Sequence, residues 1–241
     1  MSRSLKDDYN SLLEFIDGYS LKNTYNEKGL SEIIKPLHKG YYSALALLAE
    51  LHHQDVKPYS SCEKKYVDKQ REIFWLHLSE SFSELGSAFF LILNGCYKAS
   101  DQVMRSSIEN FIKAQGSLDN VGLTTMKNVY EIFEISKISS FFSTEIGRNI
   151  FQELSRLYSD LCSSVHSGTE QDMQGISALG DFPAIDLDRA KIANKNYLKI
   201  IKFYVSSLSV MFSEGFHGMH HINKDIVQLS LSATALKELH R

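Results

Sequence analysis

Apolar residues recur at intervals of three and four along almost the whole chain, which is the spacing of a helix with one buried face. Alternation of apolar and polar positions, typical of half-buried strands, is scarce. The clearest apolar stripe precedes the dipeptide Asn94-Gly95 and consists of Phe74, Leu78, Phe82, Leu85, Phe89 and Leu93. The pattern predicts an all-α fold, a helical bundle of about seven to nine helices.

Glycine, asparagine and proline divide this periodic pattern into separate helices. The predicted helices span about residues 5–17, 30–53, 66–93, 99–115, 124–135, 144–166, 188–212 and 223–240. The longest loops are expected over residues 177–188 and 215–221. The first helix is expected to bury one stripe, which consists of Leu5, Tyr9, Leu12, Leu13 and Ile16.

Composition and charge limit the classes of function. The formal charge is -3 over 241 residues, so no overall positive field attracts nucleic acid or an anionic membrane. Cys62, Cys96 and Cys162 are far apart in sequence, which favours neither a disulfide framework nor a thiolate zinc site. The first residues lack the apolar region of a signal peptide, and no apolar run has the length of a membrane span. We expect a cytoplasmic protein with no membrane anchor, no metal and no cofactor.

The most informative polar positions lie in residues 93–114, LNGCYKASDQVMRSSIENFIKA. Arg105 and Glu109 are four residues apart and therefore share a helix face, which Ser106 and Lys113 extend into a polar strip. One interpretation is an exposed ion pair within the helix, which is of small energetic value. The other interpretation is a cation and a carboxylate that act together in a functional site.

A second polar segment covers residues 156–168, RLYSDLCSSVHSG. Tyr158, Cys162 and His166 repeat every four residues, which puts His166 at the end of a predicted helix. The helix dipole stabilises an imidazolium there and makes it a proton donor near neutral pH. The alternative is a capping histidine that binds the last carbonyl groups of the helix.

Both segments carry residues that fit a family pattern. The first reads L-x-G-x-Y-x-A and then R-x-x-x-E, and the second reads Y-x-x-L-x-x-x-V-H. The matching residues are Leu93, Gly95, Tyr97, Ala99, Arg105, Glu109, Tyr158, Leu161, Val165 and His166. Over residues 88–168 the chain resembles uncharacterised bacterial all-helical proteins related to the HEPN superfamily, of the toxin and phage-defence type.

The resemblance implies that the two segments pack as neighbouring helices, with Arg105, Glu109 and His166 in one cleft. In metal-independent acid/base chemistry, His166, alone or with Glu109, would exchange protons with a ribose 2′-hydroxyl and the leaving oxygen. Arg105 would stabilise the charge that develops on the phosphate. The candidate substrate-binding residues are Tyr97, Tyr158 and Arg156.

The second segment departs from the HEPN ribonucleases in one respect. They carry an arginine and a histidine with four to six residues between them, whereas Arg156 and His166 are farther apart. Arg71 and His77 fit that spacing, but the intervening residues 73–76 are apolar and are expected to pack in the core.

Two other groups of residues have a functional and a structural interpretation. Glu214, His217 and His221 would have metal-ligand spacing on one helix face, but the glycines among them favour a solvated loop. Four lysines recur every three or four residues in the helix predicted over 188–212. Such a stripe is typical of a solvated face, and the alternative is a surface that follows phosphates. These lysines are Lys191, Lys195, Lys199 and Lys202.

Two hypotheses follow. The first is a HEPN-like protein of bacterial defence or toxin type that binds or cleaves RNA without a metal. The second is a non-catalytic helical module, in which the polar residues fix helix register and function lies in assembly with a partner effector or with itself as a homodimer. We expect one domain over residues 1–241, with N-terminal helices in 1–60, a HEPN-like core in 66–168 and C-terminal helices in 188–241.

Overall fold

The computed structural model describes residues 3–21, 29–56, 67–165, 173, 175 and 178–240. In these ranges it contains ten α-helices, two short 3-10 helices and no strand, so the all-α prediction is confirmed. None of the described helices combines the length and the apolar character needed to cross a membrane. The α-helices are α1 Arg3–Gly18, α2 Leu30–His53, α3 Val67–Leu93, α4 Tyr97–Ser117, α5 Val129–Ser136, α6 Glu145–Val165, α7 Leu187–Met211, α8 Ser213–Gly218, α9 His221–Gln228 and α10 Ala233–Leu239. The 3-10 helices are Val121–Thr125 and Leu179–Asp181.

Helices α3 and α4 form the antiparallel hairpin that carries the candidate site. The Ser100 hydroxyl donates a hydrogen bond to the Ala88 carbonyl oxygen at 3.2 Å. Farther along, the Ser107 hydroxyl donates to the Ser81 carbonyl oxygen at 2.8 Å. Residue numbers therefore rise along α4 as they fall along α3. These bonds satisfy two buried hydroxyl groups and fix which residues of the two helices face each other.

A glycine permits the short connection between α3 and α4. Gly95 has a φ of 72°, in the left-handed region that residues with a side chain rarely adopt. A Cβ atom at this position would lie 1.9 Å from the Ala184 carbonyl oxygen. The Tyr97 hydroxyl accepts a hydrogen bond from the Asp186 N–H at 3.3 Å, and the Asp186 side chain caps the first turn of α7. The connection is thus packed against the segment that begins α7.

Helix α7 packs against α2, α4 and α6 and supplies much of the core. Tyr204 is fully buried, and its ring stacks on Phe111 with the ring centroids 3.8 Å apart. Because the Ser107 hydroxyl already donates to a carbonyl group, it accepts from the Tyr204 hydroxyl at 3.0 Å. The inner face of α4 is therefore fixed by an aromatic stack and a satisfied hydrogen-bond chain, which leaves its outer face for the site.

The apolar stripe predicted for the first helix is wrong as a buried face, because three of its members are exposed. Tyr9, Leu13 and Ile16 of α1 are 50%, 42% and 57% exposed. Helical spacing shows which residues share a face, but it does not show that another element covers that face.

Three predicted boundaries also differ from the structure. The segment 124–135 is divided, since α5 begins after Asn128, whose side chain accepts from the Tyr130 N–H. Part of the loop predicted over 215–221 is helical, in α8. The predicted last helix is two helices, because the Ser232 hydroxyl caps a new helix by accepting from the Ala235 N–H at 3.1 Å.

Candidate functional site

The candidate site is a polar strip on the outer face of α4, which we call the α4 strip. Its members repeat with the period of a helix, so they lie side by side along one face. All are half-buried, between the solvent and the two helices that flank α4. The strip consists of Arg105, Ser106, Glu109, Asn110 and Lys113.

On one side, the strip meets Tyr158 and Cys162 of α6, which we call the α6 flank. The Arg105 Nη1 donates to the Cys162 sulfur at 3.8 Å, and the guanidinium carbon lies 5.8 Å from the centroid of the Tyr158 ring. The ring attracts the cation through its quadrupole. The Arg105 Nε is buried and has no hydrogen-bond partner. The expected packing of residues 93–114 beside residues 156–165 is thus seen. Arg105 is the residue of α4 that contacts Tyr158 and Cys162.

Glu109 does not form the ion pair that its spacing from Arg105 predicts. Its Oε1 accepts from the Lys113 Nζ at 3.2 Å, and the two side chains are only 22% and 15% exposed. Arg105 is near enough to interact electrostatically with Glu109, but its guanidinium is directed to the α6 flank. The interpretation of Arg105 and Glu109 as an intrahelical ion pair is therefore wrong, because each has another partner.

The Tyr158 hydroxyl stays protonated throughout the physiological pH range. Burial of the side chain and the nearby Cys162 thiol raise the pKa of Tyr158 to about 12. Its ring packs against the Phe133 ring, with the centroids 4.9 Å apart. Tyr158 is therefore suited to donate a hydrogen bond or to present a ring face, and it is unsuited to act as a base.

On the other side, the strip meets His77 and Glu84 of α3, which we call the α3 flank. The Glu84 carboxylate accepts from the Ser106 hydroxyl and, at 3.0 Å, from the Asn110 Nδ2. The Asn110 Oδ1 lies 3.0 Å from the His77 Nδ1, and because an amide oxygen only accepts, His77 is the donor. Burial raises the pKa of Glu84, and the two hydrogen bonds it accepts oppose that change.

Glu84 and Asn110 are not among the site residues that the sequence predicts. His77 and Glu84 are seven residues apart, about two turns of α3, so they share a face of that helix. This spacing is a signal for the α3 flank, but it is common on any polar helix face. What distinguishes Glu84 is its contact with α4, which depends on the register of the hairpin.

Two substrate-binding candidates lie away from the α4 strip. Tyr97 precedes Arg105 by roughly 12 Å along the helix axis. Its side chain is 5% exposed, and its hydroxyl accepts from the backbone that begins α7. The Arg156 Nη2 pairs with the Glu153 Oε2 at 2.6 Å on an exposed surface of α6. His166 lies outside the described residues. The structure thus brings Arg105, Glu109 and Tyr158 together but places Tyr97 and Arg156 elsewhere.

Arg71 and His77 have different surroundings although they lie on the same helix. Six residues on a helix correspond to side-chain directions roughly 120° apart. Arg71 Nη1 is 3.9 Å from the Asp68 Oδ1, whereas His77 is bonded to Asn110. Between them, Phe74 is buried as expected, but Leu76 is 66% exposed.

Among the described residues, no group of three histidine, cysteine, aspartate or glutamate side chains is arranged to hold a metal ion. Glu214 and His217 lie in α8, whereas His221 is the first residue of α9. The single helix face on which these three residues would have metal-ligand spacing is therefore not formed.

The α4 strip and its flanks gather a guanidinium, two carboxyl groups and a protonated phenol on three neighbouring helices. A guanidinium binds and stabilises anionic oxygen, and a carboxyl group can take or give a proton in acid/base chemistry. No protein-family model, curated protein or solved structure matches the chain.

Proposed function

We propose that the protein binds RNA at the α4 strip and cleaves its backbone by metal-independent acid/base chemistry. The observation that carries the proposal is the position of Arg105, which lies beside Tyr158 of α6 and near Glu109 on its own helix. A guanidinium has five N–H donors, and the contact with Cys162 uses only Nη1. The Nη2 group donates to no other described residue and is available for a phosphate.

The reaction requires one group to take a proton and another to give one. A base removes the proton from a ribose 2′-hydroxyl, and the 2′-oxygen then bonds to phosphorus while the bond to the 5′-oxygen breaks. An acid protonates that leaving oxygen, and the product is a cyclic 2′,3′-phosphate. We assign these two roles to Glu109 and His166, with Arg105 stabilising the negative charge that develops on the phosphate.

The biological setting that we propose is bacterial defence or a toxin system. It is supported by the resemblance of residues 88–168 to HEPN-related proteins. Arg105 and Glu109 of that pattern lie in the α4 strip, and Tyr158 lies on the α6 flank.

The test is cleavage of a single-stranded RNA oligonucleotide by purified protein in the presence of EDTA. We expect Arg105→Gln and His166→Ala each to slow cleavage by roughly 100-fold, as the loss of a charge-stabilising donor does in other enzymes. Arg148→Gln is the matched control, because Arg148 is an exposed arginine on α6. Cleavage that EDTA abolishes, or that survives unchanged in both test variants, would exclude this site.

The second candidate function is a non-catalytic helical module that assembles with a partner effector or as a homodimer. It is favoured by the exposed apolar face of α1, where Tyr9, Leu13 and Ile16 have half or nearly half of their surface accessible. Under this function, Arg105→Gln lowers the melting temperature and no RNA cleavage is measurable in the unaltered protein. Sedimentation of the unaltered protein and of Ile16→Ser would then show whether α1 forms the interface.

A further inference from the structure

A cavity of about 340 Å³ lies between α2, α7 and the turn that follows α9. Its origin is visible in the sequence, because Pro36 and Gly40 are four residues apart and face the same side of α2. A Cβ atom at Gly40 would lie 2.8 Å from the Leu198 Cδ2, so α2 approaches α7 closely at this point. The absence of a side chain at Gly40 permits this close approach, and Gly40 lines the cavity beside it.

The cavity has an aliphatic floor and a cationic rim. Pro36, Leu198 and Leu229 contribute apolar surface, and Leu229 is 63% exposed at the edge. Lys39 and Lys202 lie on opposite helices at the rim, and both are exposed. No acidic residue is among the described residues that line the cavity. Neither lysine forms an ion pair with another described residue.

We propose that this cavity binds an amphipathic anion, a carboxylate or phosphate monoester that carries a short alkyl chain. The Lys39 and Lys202 ammonium groups pair with the anionic head from two sides, and the alkyl chain covers the aliphatic floor. The exposed Leu229 side chain gains burial from this chain. The site is separate from the α4 strip, and the proposal does not depend on the proposed RNA cleavage.

The cationic rim and the aliphatic floor of the cavity together favour this class of ligand. A neutral apolar molecule would contact the floor but would form no ion pair with the two lysines. An RNA strand would contact the lysines but not the aliphatic floor. None of the described residues that line the cavity is an aromatic on which a base can stack. An anion with an alkyl chain uses both parts of the cavity.

The lysines of α7 provide a matched control. Lys191 Nζ pairs with the Asp188 Oδ1 at 2.9 Å, and Lys202 lines the cavity. Lys195 is exposed on the same helix and does not line the cavity. Lys195→Gln therefore removes the same charge from α7 without altering the proposed site.

The experiment is calorimetric titration of the full chain with octanoate, octyl phosphate, 1-octanol and inorganic phosphate. We expect saturable binding of octanoate or octyl phosphate, and the stronger of the two identifies the head group. Binding should weaken at least tenfold in Lys39→Gln/Lys202→Gln, should weaken in Leu229→Ser, and should be unchanged in Lys195→Gln.

Several results would overturn the proposal. These are the absence of binding by either amphiphile, equal binding of 1-octanol, equal binding of inorganic phosphate, or unchanged affinity in the double lysine variant. Binding of an RNA oligonucleotide that requires both lysines, in the absence of amphiphile binding, would assign the surface to nucleic acid instead.

Discussion

The two flanks of the α4 strip hold neighbouring residues of one helix by different forces. On the α6 flank, Arg105 contacts a sulfur atom and an aromatic ring, and its guanidinium has no carboxylate partner among the described residues. On the α3 flank, Ser106 and Asn110 donate hydrogen bonds to the half-buried Glu84 carboxylate. The first flank depends on packing and on the ring quadrupole, and the second depends on hydrogen bonds and on the charge of a carboxyl group.

This difference shows that the neighbouring helix determines what a polar helix face does. Arg105 and Glu109 have the same spacing as Ser106 and Asn110, four residues in each case. The first two have separate partners, whereas the second two share one carboxylate. Spacing along α4 defines the strip, but the side chains of α3 and α6 decide its contacts.

Removal of the Tyr158 ring should cause the largest loss of stability among the variants that distinguish the two flanks. We expect Tyr158→Ala to lower the free energy of unfolding by about 3 kcal/mol, because the ring packs against Phe133 and Arg105. Tyr158→Phe keeps the ring and should cost less than about 1 kcal/mol. Urea unfolding monitored by circular dichroism measures both values. Equal losses in the two variants would show that the hydroxyl, rather than ring packing, holds the α6 flank.

The pH dependence of stability should also distinguish the two flanks, by a smaller amount. Because the pKa of Glu84 is raised above its usual 4.5, the folded protein binds more protons than the unfolded protein just above that pH. The contribution of Glu84 to stability is therefore lost as the pH rises towards neutral. We expect Glu84→Gln to become more stable relative to the unaltered protein between pH 4 and pH 7, as measured by urea unfolding at each pH.

Arg105→Gln is the control for this pH series, because Arg105 keeps its charge throughout the range. Its stability difference from the unaltered protein should stay nearly constant between pH 4 and pH 7. A constant difference for Glu84→Gln, or a change of opposite sign, would mean that hydrogen bonds rather than burial dominate the titration of Glu84.

The smallest effect should come from the ion pair within the α4 strip. Lys113→Gln removes the partner of Glu109, and we expect a loss of about 0.5 kcal/mol that decreases in high salt. Thermal unfolding at low and high sodium chloride concentration measures it. A loss above about 2 kcal/mol would show that Glu109 is left as an uncompensated charge in a drier site than its partial exposure suggests.

Much of the fold could be predicted from apolar spacing. In α3, Phe74, Leu78, Phe82 and Leu85 are buried as the stripe predicts, and the helix ends at the expected Asn94-Gly95 dipeptide. In α1, Tyr9, Leu13 and Ile16 of the same kind of stripe are exposed. The spacing of a helix records which residues share a face, while burial depends on a second element that the local sequence does not specify.

The candidate site was predicted only in part. The spacing of polar residues points to Arg105 and to Tyr158 separately, and the HEPN resemblance implies that their helices are neighbours. The structure places the two residues in contact, and the relationship to that superfamily stays a prediction. Glu84 and Asn110 were missed because they are 26 residues apart and meet only through the register of the α3–α4 hairpin. That register depends on the conformation of the connection, which local residue patterns do not describe.

The contact between Gly95 and Ala184 makes two distant parts of the chain mechanically dependent on each other. A single methyl group at position 95 would collide with the Ala184 carbonyl group and displace the segment that carries the Asp186 cap. The first turn of α7 would then open more often and exchange its amide hydrogens faster. The middle of α7, anchored by Tyr204, would keep its slow exchange.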